Sequence, residues 1–225
     1  MAYKNKRFKK RKLDQRARFK KYGSKAGGYA HTAYRIARRL QDVINIEYKL
    51  ADATATTGSL DYNGSLFSII GAANGGTGIP QGTTDTTRVG DSIKLQNLTM
   101  RYTIARNGQD AWARVFVLWD PQNKLTAVSD VLQSTGSTLS VITPKNYDKR
   151  FQCKVLYEAV HKLDSAGNAL SKVDRVIPIN KHTQFSGGSA TAITSGDLKM
   201  LIISNVVTSN LPTMAYYLRL SYTDD

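Results

Sequence analysis

The chain has 225 residues and a formal net charge of +15, with 32 Lys and Arg against 17 Asp and Glu. No run of about 18 apolar residues occurs, so the sequence predicts no membrane-spanning helix and no membrane partner. The single cysteine, Cys153, excludes an internal disulfide and fits either a reducing compartment or indifference to redox state.

Nearly all of the excess charge lies in the first 40 residues, which carry 15 basic side chains and one acid, Asp14. The remaining 185 residues are almost neutral, with 17 basic and 16 acidic groups. This asymmetry predicts a nucleic-acid-binding arm joined to a folded body. The candidate nucleic-acid-binding residues are Lys4, Lys6, Arg7, Lys9, Lys10, Arg11, Lys12, Arg16, Arg18, Lys20, Lys21, Lys25, Arg35, Arg38 and Arg39.

Aromatic side chains are spaced through this positive charge. They are Tyr3, Phe8, Phe19, Tyr22 and Tyr29. Aromatic rings stack on unpaired bases while Lys and Arg neutralise phosphates, and neither contact needs a particular base sequence. We therefore expect single-stranded nucleic acid as the partner. The run from residue 9 to residue 12 also fits a signal for a nuclear import receptor, and a solubilising tail or a mitochondrial transit peptide is an alternative reading of the arm. No secretory signal is expected, because no apolar stretch follows the basic start.

Three segments are predicted along the chain. Residues 1–28 form the basic arm, which charge repulsion and a shortage of apolar side chains should keep from folding alone. Within residues 29–43, Ile36, Leu40 and Val43 recur at helical spacing and predict a short amphipathic helix at about 30–43. Residues 44–225 are expected to form one folded domain.

The sequence beyond residue 43 reads as eight short β-strands separated by Gly, Ser, Thr, Asn and Pro. They are expected at 44–55, 66–70, 91–106, 113–119, 150–161, 172–182, 198–207 and 214–222. Eight antiparallel strands in about 185 residues favour an all-β fold, an eight-stranded antiparallel jelly-roll sandwich.

Three strands carry finer predictions. In the first, Ile44, Ile46, Tyr48 and Leu50 alternate with polar residues and are expected to face the core. The inward parity of the third changes after Leu95, which predicts a β-bulge near Gln96 and Asn97. Pro178 cannot donate a ladder hydrogen bond, so it predicts a sheet edge or a bulge in the sixth strand.

The chain lacks the usual signatures of an enzyme, so no catalytic residue and no enzymatic activity is expected. His31, His161 and His182 are not spaced with Cys or acids as metal ligands. Cys153 falls in a predicted strand and is read as a buried structural thiol rather than a nucleophile. No cofactor or metal is expected, except that Asp224 and Asp225 at the end of the chain could hold Ca²⁺ where subunits meet.

Short motifs in order along the body resemble a known family. Thr87-Arg88-Val89-Gly90-Asp91-Ser92-Ile93 resembles the start of strand D in single jelly-roll capsid proteins of circular Rep-encoding single-stranded DNA viruses. RVFVLWDPQ, at residues 114–122, is similar to their strand E, and residues 150–158 are similar to their strand F, with Glu158 at the acid position. The chain also looks similar to the coat protein of satellite tobacco necrosis virus.

The resemblance implies a viral capsid protein that assembles into an icosahedral T=1 shell of about 60 identical subunits, with the arms turned inward. It further implies a single-stranded genome, DNA rather than RNA, a place in the virion, and a passage through the host nucleus during assembly. One alternative is a monomeric nucleic-acid-binding protein with a β-sandwich body. Another is a jelly-roll enzyme or lectin that carries an import tail.

Two expectations concern the body of such a subunit. Arg88 and Asp91 are expected to fix the start of strand D by a charge-assisted contact, with Gly90 permitting a tight turn between them. Residues 113–119 are apolar on both faces, as in a central strand. We expect neighbouring subunits to cover their outward face and the long loops 71–87 and 124–146.

Overall fold

The computed structural model describes residues 32–36, 48–57, 59–72, 75–133, 141–207 and 209–224. Residues 47–225 belong to one compact unit, and residues 32–36 belong to another, which spans residues 1–46. The helix predicted at about 30–43 is present over residues 32–36, where every side chain is exposed. The rest of that range and the arm at 1–28 lie outside the described residues, so the boundaries at 28 and 43 stay predictions.

Nine strands are present in the described residues. They are β1 (Lys49–Thr57), β2 (Ser65–Ser68), β3 (Ser92–Ala105), β4 (Ala111–Asp120), β5 (Lys154–Leu163), β6 (Leu170–Phe185), β7 (Ile193–Ser195), β8 (Asp197–Ser204) and β9 (Thr213–Asp224). A short 3₁₀ helix covers Val128–Asp130. The eight predicted strands correspond to all of these except β7, whose three residues are too few to show a periodic pattern.

The strands form two antiparallel sheets. One, sheet A, has the order β1-β9-β3-β6-β7, and the other, sheet B, has the order β2-β8-β4-β5. With β7 set aside, the first strand pairs with the last, the second with the next to last, and so on inward to β4 with β5. That is the pairing of one long hairpin rolled up into two sheets, so the predicted jelly roll is confirmed.

The main core lies between the two sheets, and alternation along the strands fills it. In β9 the inward residues are Met214, Tyr216, Leu218, Leu220 and Tyr222, all buried. In β3 the register shifts between Leu95 and Asn97 against both neighbouring strands. The predicted bulge is therefore confirmed, and it keeps the apolar side chains before and after it on the same inner face.

Pro178 lies opposite this bulge. It pairs with Asn97 on β3, while β7, on the other side of β6, reaches only Gln184 and Phe185. The proline therefore stands both at a bulge and at a stretch of β6 that β7 does not reach, which are the places where a sheet accommodates proline.

Two strand predictions were wrong in detail. In β1 the inward face carries Lys49, Ala51 and Ala53, whereas Tyr48 and Leu50 are exposed. The other two residues of that prediction, Ile44 and Ile46, lie outside the described residues. The alternation of apolar residues predicted the wrong inward face. Lys49 can lie on the inner face because its ammonium is paired with groups from distant parts of the chain. The strand predicted at 150–161 begins only at Lys154. Phe151 lies in the preceding turn, and its side chain is 83% exposed.

The outward face of β4 is covered by the chain itself. Phe116 and Leu118 point away from the main core, yet both are fully buried. They form a second apolar cluster with Leu125, Val131, Leu132, Leu201 and Ile203. Our expectation that neighbouring subunits cover this face was therefore wrong, because the segment that follows β4 folds back over sheet B.

The loop at 71–87 also packs on its own domain. Ile79 is fully buried in the main core, and the N–H groups of Thr77 and Gly78 donate to the carbonyls of Ile69 and Ile70. In the part of the chain that the structure describes, no helix is long and apolar enough to cross a membrane.

Candidate nucleic-acid interface and buried charge clusters

The candidate nucleic-acid-binding residues lie almost entirely outside the described residues. This applies to Lys4, Lys6, Arg7, Lys9, Lys10, Arg11, Lys12, Arg16, Arg18, Lys20, Lys21, Lys25, Arg38 and Arg39. Arg35 is described and is exposed on the helical turn, next to exposed Tyr34 and Ile36. An exposed guanidinium beside an exposed aromatic ring is suited to a phosphate and a stacked base. The role of all fifteen residues stays a prediction.

Arg88 is fully buried at the start of β3. Its guanidinium stacks on the ring of Phe185 at 4.1 Å from the ring centre, and it donates hydrogen bonds to the carbonyls of Gly90 and Gly187. One Nη lies 3.3 Å from the carboxylate of Asp91, which is largely exposed. Gly90 has a φ of +87°, a conformation that a residue with a Cβ adopts only at a cost. Arg88 thus joins the start of β3 to the turn after β6.

A second buried cation, Lys49, ties the two ends of the body together. Its Nζ lies 2.7 Å from the carboxylate of Asp224 and donates to the carbonyl of Thr87 at 2.9 Å. The other oxygen of Asp224 accepts a hydrogen bond from the N–H of Val89 at 3.1 Å. The start of β1, the end of β9 and the turn before β3 therefore meet at one ion pair.

This contact bears on the calcium suggested for the chain end. Asp224 is engaged by Lys49 and Val89, and Asp225 lies outside the described residues. Among the residues that the structure describes, no group of three or more His, Cys, Asp or Glu is placed to hold a metal ion.

A third charge cluster lies at the end of sheet B. Lys199, on β8, is nearly buried between two buried acids, Asp120 and Asp197. Its Nζ lies 3.2 Å from Asp120 and 3.7 Å from Asp197. It also donates a hydrogen bond to the carbonyl of Leu125. Asp120 accepts a hydrogen bond from the N–H of Leu125 at 2.7 Å, so the cluster fixes the turn that follows β4.

The acid in the motif at residues 150–158 is also structural. Glu158 accepts two hydrogen bonds from Arg114, at 2.6 and 3.1 Å, and lies 2.6 Å from the Nζ of Lys145. The other arm of Arg114 donates to the carbonyls of Val141 and Thr143. Arg114 and Glu158 therefore hold the segment between β4 and β5 against sheet B.

His161 and Cys153 take part in packing. His161 is buried, with Nε2 at 2.8 Å from the hydroxyl of Tyr102 and Nδ1 at 2.8 Å from the hydroxyl of Ser171. Burial lowers the pKa of His161 and favours the neutral ring. Cys153 is half-buried just before β5 rather than within a strand. Burial raises the pKa of its thiol, which lowers its reactivity as a nucleophile.

No protein-family model and no curated protein sequence matches the chain. Solved structures to which it is similar include one titled Desmodium yellow mottle tymovirus, at 13% identity and a TM-score of 0.34, covering 77% of this chain and 86% of that one. Another is the crystal structure of the 60-mer BFDV capsid protein, at 8% identity and a TM-score of 0.26, covering 79% and 92%. A third is deformed wing virus carrying the GFP gene, at 12% and 0.28, covering 76% and 74%.

Scores this low assign neither a family nor a function. The jelly-roll fold of this chain rests on its own strand pairing.

Sequence reasoning missed the two buried lysines, Lys49 and Lys199. A weak signal was present for Lys199, because it lies within residues 198–203, whose other members are all apolar. A lysine in such a run must find a buried acid. Nothing in the local sequence of Lys49 indicates that its partner is Asp224, which is 175 positions away.

Replacing Arg88 should destabilise the body. We expect Arg88→Ala to lower both the free energy of unfolding and the yield of assembled protein, because it removes the donor to the carbonyls of Gly90 and Gly187 and opens a space beside Phe185. Arg88→Lys should recover little, since an ammonium cannot make the same forked contacts. Lys124→Ala, at an exposed position, is the matched control. Equal denaturation midpoints and equal yields for Arg88→Ala and Lys124→Ala would contradict this role.

The charge on Asp197 should make stability depend on pH. Burial, opposed mainly by the hydrogen bond from Ser68, raises the pKa of Asp197 to about 6. Because the folded-state pKa exceeds the ordinary value of 3.8, the folded protein binds the proton more tightly than the unfolded chain. Protonated Asp197 therefore adds to the free energy of unfolding at low pH. This contribution is lost as the pH rises through about 6.

Asp197→Asn, which mimics the protonated acid, should therefore gain stability relative to the wild type as pH rises from 4 to 7. The change should reach at most about 3 kcal/mol. Urea unfolding of both proteins at several pH values measures this difference. A difference that stays constant across the range would contradict it.

Proposed function

We propose that this chain is a viral capsid protein that assembles into a closed shell of about 60 copies and packages a single-stranded genome with its basic arm. The observation that carries the proposal is the division of charge along the chain. Residues 1–40 hold +14 of the net +15, and they precede a nearly neutral jelly-roll body. The basic arm is thereby suited to bind polyanions, and the nearly neutral body is suited to form the shell.

The body exposes apolar side chains suited to contacts between copies. Trp112 and Val160 lie on the outward side of sheet B, where the covering segment after β4 does not bury them. Ile142, Tyr147 and Phe151 are exposed in the segment between β4 and β5, at 90%, 66% and 83%. A concentration of large exposed apolar residues supports a protein-binding surface, and symmetric repetition of one such contact closes a shell.

Packaging follows from charge neutralisation. About 60 arms of +14 supply on the order of 800 positive charges, which match the phosphates of a small single-stranded genome. The contacts need no particular base sequence, because Lys and Arg meet phosphates and aromatic rings meet base faces. The family resemblance favours DNA over RNA as the genome. It also favours passage through the host nucleus, for which the basic run at residues 9–12 would serve as the import signal.

Electron microscopy tests the proposal. Full-length protein purified free of nucleic acid, then mixed with single-stranded DNA at low salt, should give uniform closed particles in negative stain. Only small unassembled species at every protein and DNA concentration would reject the shell and favour a monomeric nucleic-acid-binding protein.

A further inference from the structure

A cavity of about 240 Å³ opens at one end of the sandwich, beside the buried cluster of Lys199. Its apolar wall is formed in part by Leu66, Leu125 and Ile193, and its polar side includes Asp197 and Lys199. This volume is far larger than the volume that one molecule occupies in liquid water, about 30 Å³. The cavity therefore has room for a short aliphatic chain with a polar end.

Charge at the polar side is not balanced. Two buried carboxylates, Asp120 and Asp197, share one ammonium, and the ammonium of Lys199 is closer to Asp120 than to Asp197. Its 3.7 Å separation from Asp197 is longer than a hydrogen bond. The hydroxyl of Ser68 donates to one oxygen of Asp197 at 2.7 Å, and the backbone N–H of Leu198 donates as well. These two neutral donors compensate only part of a full charge. Asp197, 2% exposed, is the acid that lines the cavity.

We propose that this cavity binds an alkylammonium group, with the ammonium against Asp197 and the carbon chain against Leu66, Leu125 and Ile193. A buried carboxylate is stabilised by a cation that can donate hydrogen bonds to it. The apolar wall is stabilised by methylene groups. A single ligand with a cationic end and an aliphatic chain satisfies both sides of the cavity at once.

Other ligand classes fit the cavity less well. An anion would meet a cluster whose formal charge is −1, counting Asp120, Asp197 and Lys199. A divalent metal ion would have to share Asp197 with the nearby ammonium of Lys199, and no metal-holding group of acids is found among the described residues. A monovalent ammonium brings the cluster to neutrality.

Two sources can supply this chemistry. One is a free amine such as a diamine or polyamine. The other is a lysine side chain of a second copy of this chain. The inference does not depend on the proposed function, because the cavity lies within one body and can be tested on unassembled protein.

Calorimetric titration of n-butylamine into unassembled full-length protein at pH 7.5 tests the inference. Saturable binding of one equivalent is expected, and n-butanol, a neutral analogue of similar shape, should bind at least about tenfold more weakly. Absence of saturable n-butylamine binding, or equal binding of n-butanol, would overturn the proposal.

Variants make the test specific. Asp197→Asn should weaken binding at least tenfold, whereas Asp174→Asn, at an exposed position on β6, should leave it unchanged. Thr191→Phe introduces a bulky ring at an exposed residue that lines the cavity, so it should block binding even if Asp197→Asn fails to fold. Full n-butylamine affinity in either cavity variant would contradict the assignment.

The same titration distinguishes the two sources. If the natural ligand is a free amine, binding persists at protein concentrations that produce assemblies. If a lysine of another copy occupies the cavity, n-butylamine binds the unassembled protein and is excluded on assembly. Both outcomes require binding to the unassembled protein.

Discussion

Deleting residues 1–28 should leave the jelly-roll body folded and remove most of the affinity for single-stranded nucleic acid. The deletion removes 12 basic residues and one acid, which is +11 of the net charge of +15. Every strand that the structure describes begins at or after Lys49, so the sheets lose no strand. The β-sheet signal in circular dichroism should persist.

For the full-length protein, affinity for a labelled oligonucleotide should fall by roughly 10³-fold or more between 50 and 200 mM salt if six or more phosphates are engaged. A variant in which residues 1–28 are shuffled keeps the charge and the aromatic content and is the matched control. It should bind as the wild type does, because the contacts are independent of sequence. Unchanged affinity after truncation, or a flat response to salt, would contradict the role of the arm.

Lys199→Met should be among the most destabilising single substitutions in the body. It removes the shared cation of Asp120 and Asp197, both buried, and leaves the carbonyl of Leu125 without its donor. Breaking a buried ion pair by removing one partner costs about 3–5 kcal/mol, because the remaining charge stays uncompensated in a poorly solvated site. Methionine has a similar length and keeps the apolar contacts of the lysine stem.

Urea unfolding followed by circular dichroism measures this loss, with Lys172→Met at an exposed position of β6 as the control. The exposed substitution should change stability by less than about 0.5 kcal/mol. Similar midpoints for the two variants would show that the cluster contributes little to the stability of the fold.

The sequence predicted the architecture well where one face of a strand is apolar and the other is polar. β9 alternates from Met214 to Tyr222, and the change of parity in β3 predicted the bulge found between Leu95 and Asn97. Prediction failed where burial is decided by distant partners. Lys49 is buried and Leu50 is exposed, because Asp224 at the far end of the chain supplies the counter-charge.

The covered face of β4 was missed for a related reason. Residues 121–133 read as a polar connection, because their large apolar members, Leu125, Val128, Val131 and Leu132, are too few to predict a strand or a helix. They bury Phe116 and Leu118 together with Leu201 and Ile203 on β8. The periodic signal of so short a segment is weak, so only the tertiary structure shows which face it covers.

The candidate sites also differ in how far their contacts could be predicted from the sequence. Arg88 and Asp91 lie three positions apart, so their contact could be expected from local spacing. Asp120 and Lys199 are far apart in sequence and meet only because β4 and β8 are paired neighbours in sheet B. The arm could be recognised from the sequence alone, because its net charge follows from counting basic and acidic residues over a short stretch.

The mass of the purified protein in solution tests the capsid proposal most directly. Size-exclusion chromatography with multi-angle light scattering, on full-length protein with single-stranded DNA at low salt, should give one species of about 1.5 MDa before the mass of the DNA, from about 60 chains of 24.8 kDa each. A species whose protein mass is about 25 kDa at all concentrations, with or without bound DNA, would contradict the capsid proposal.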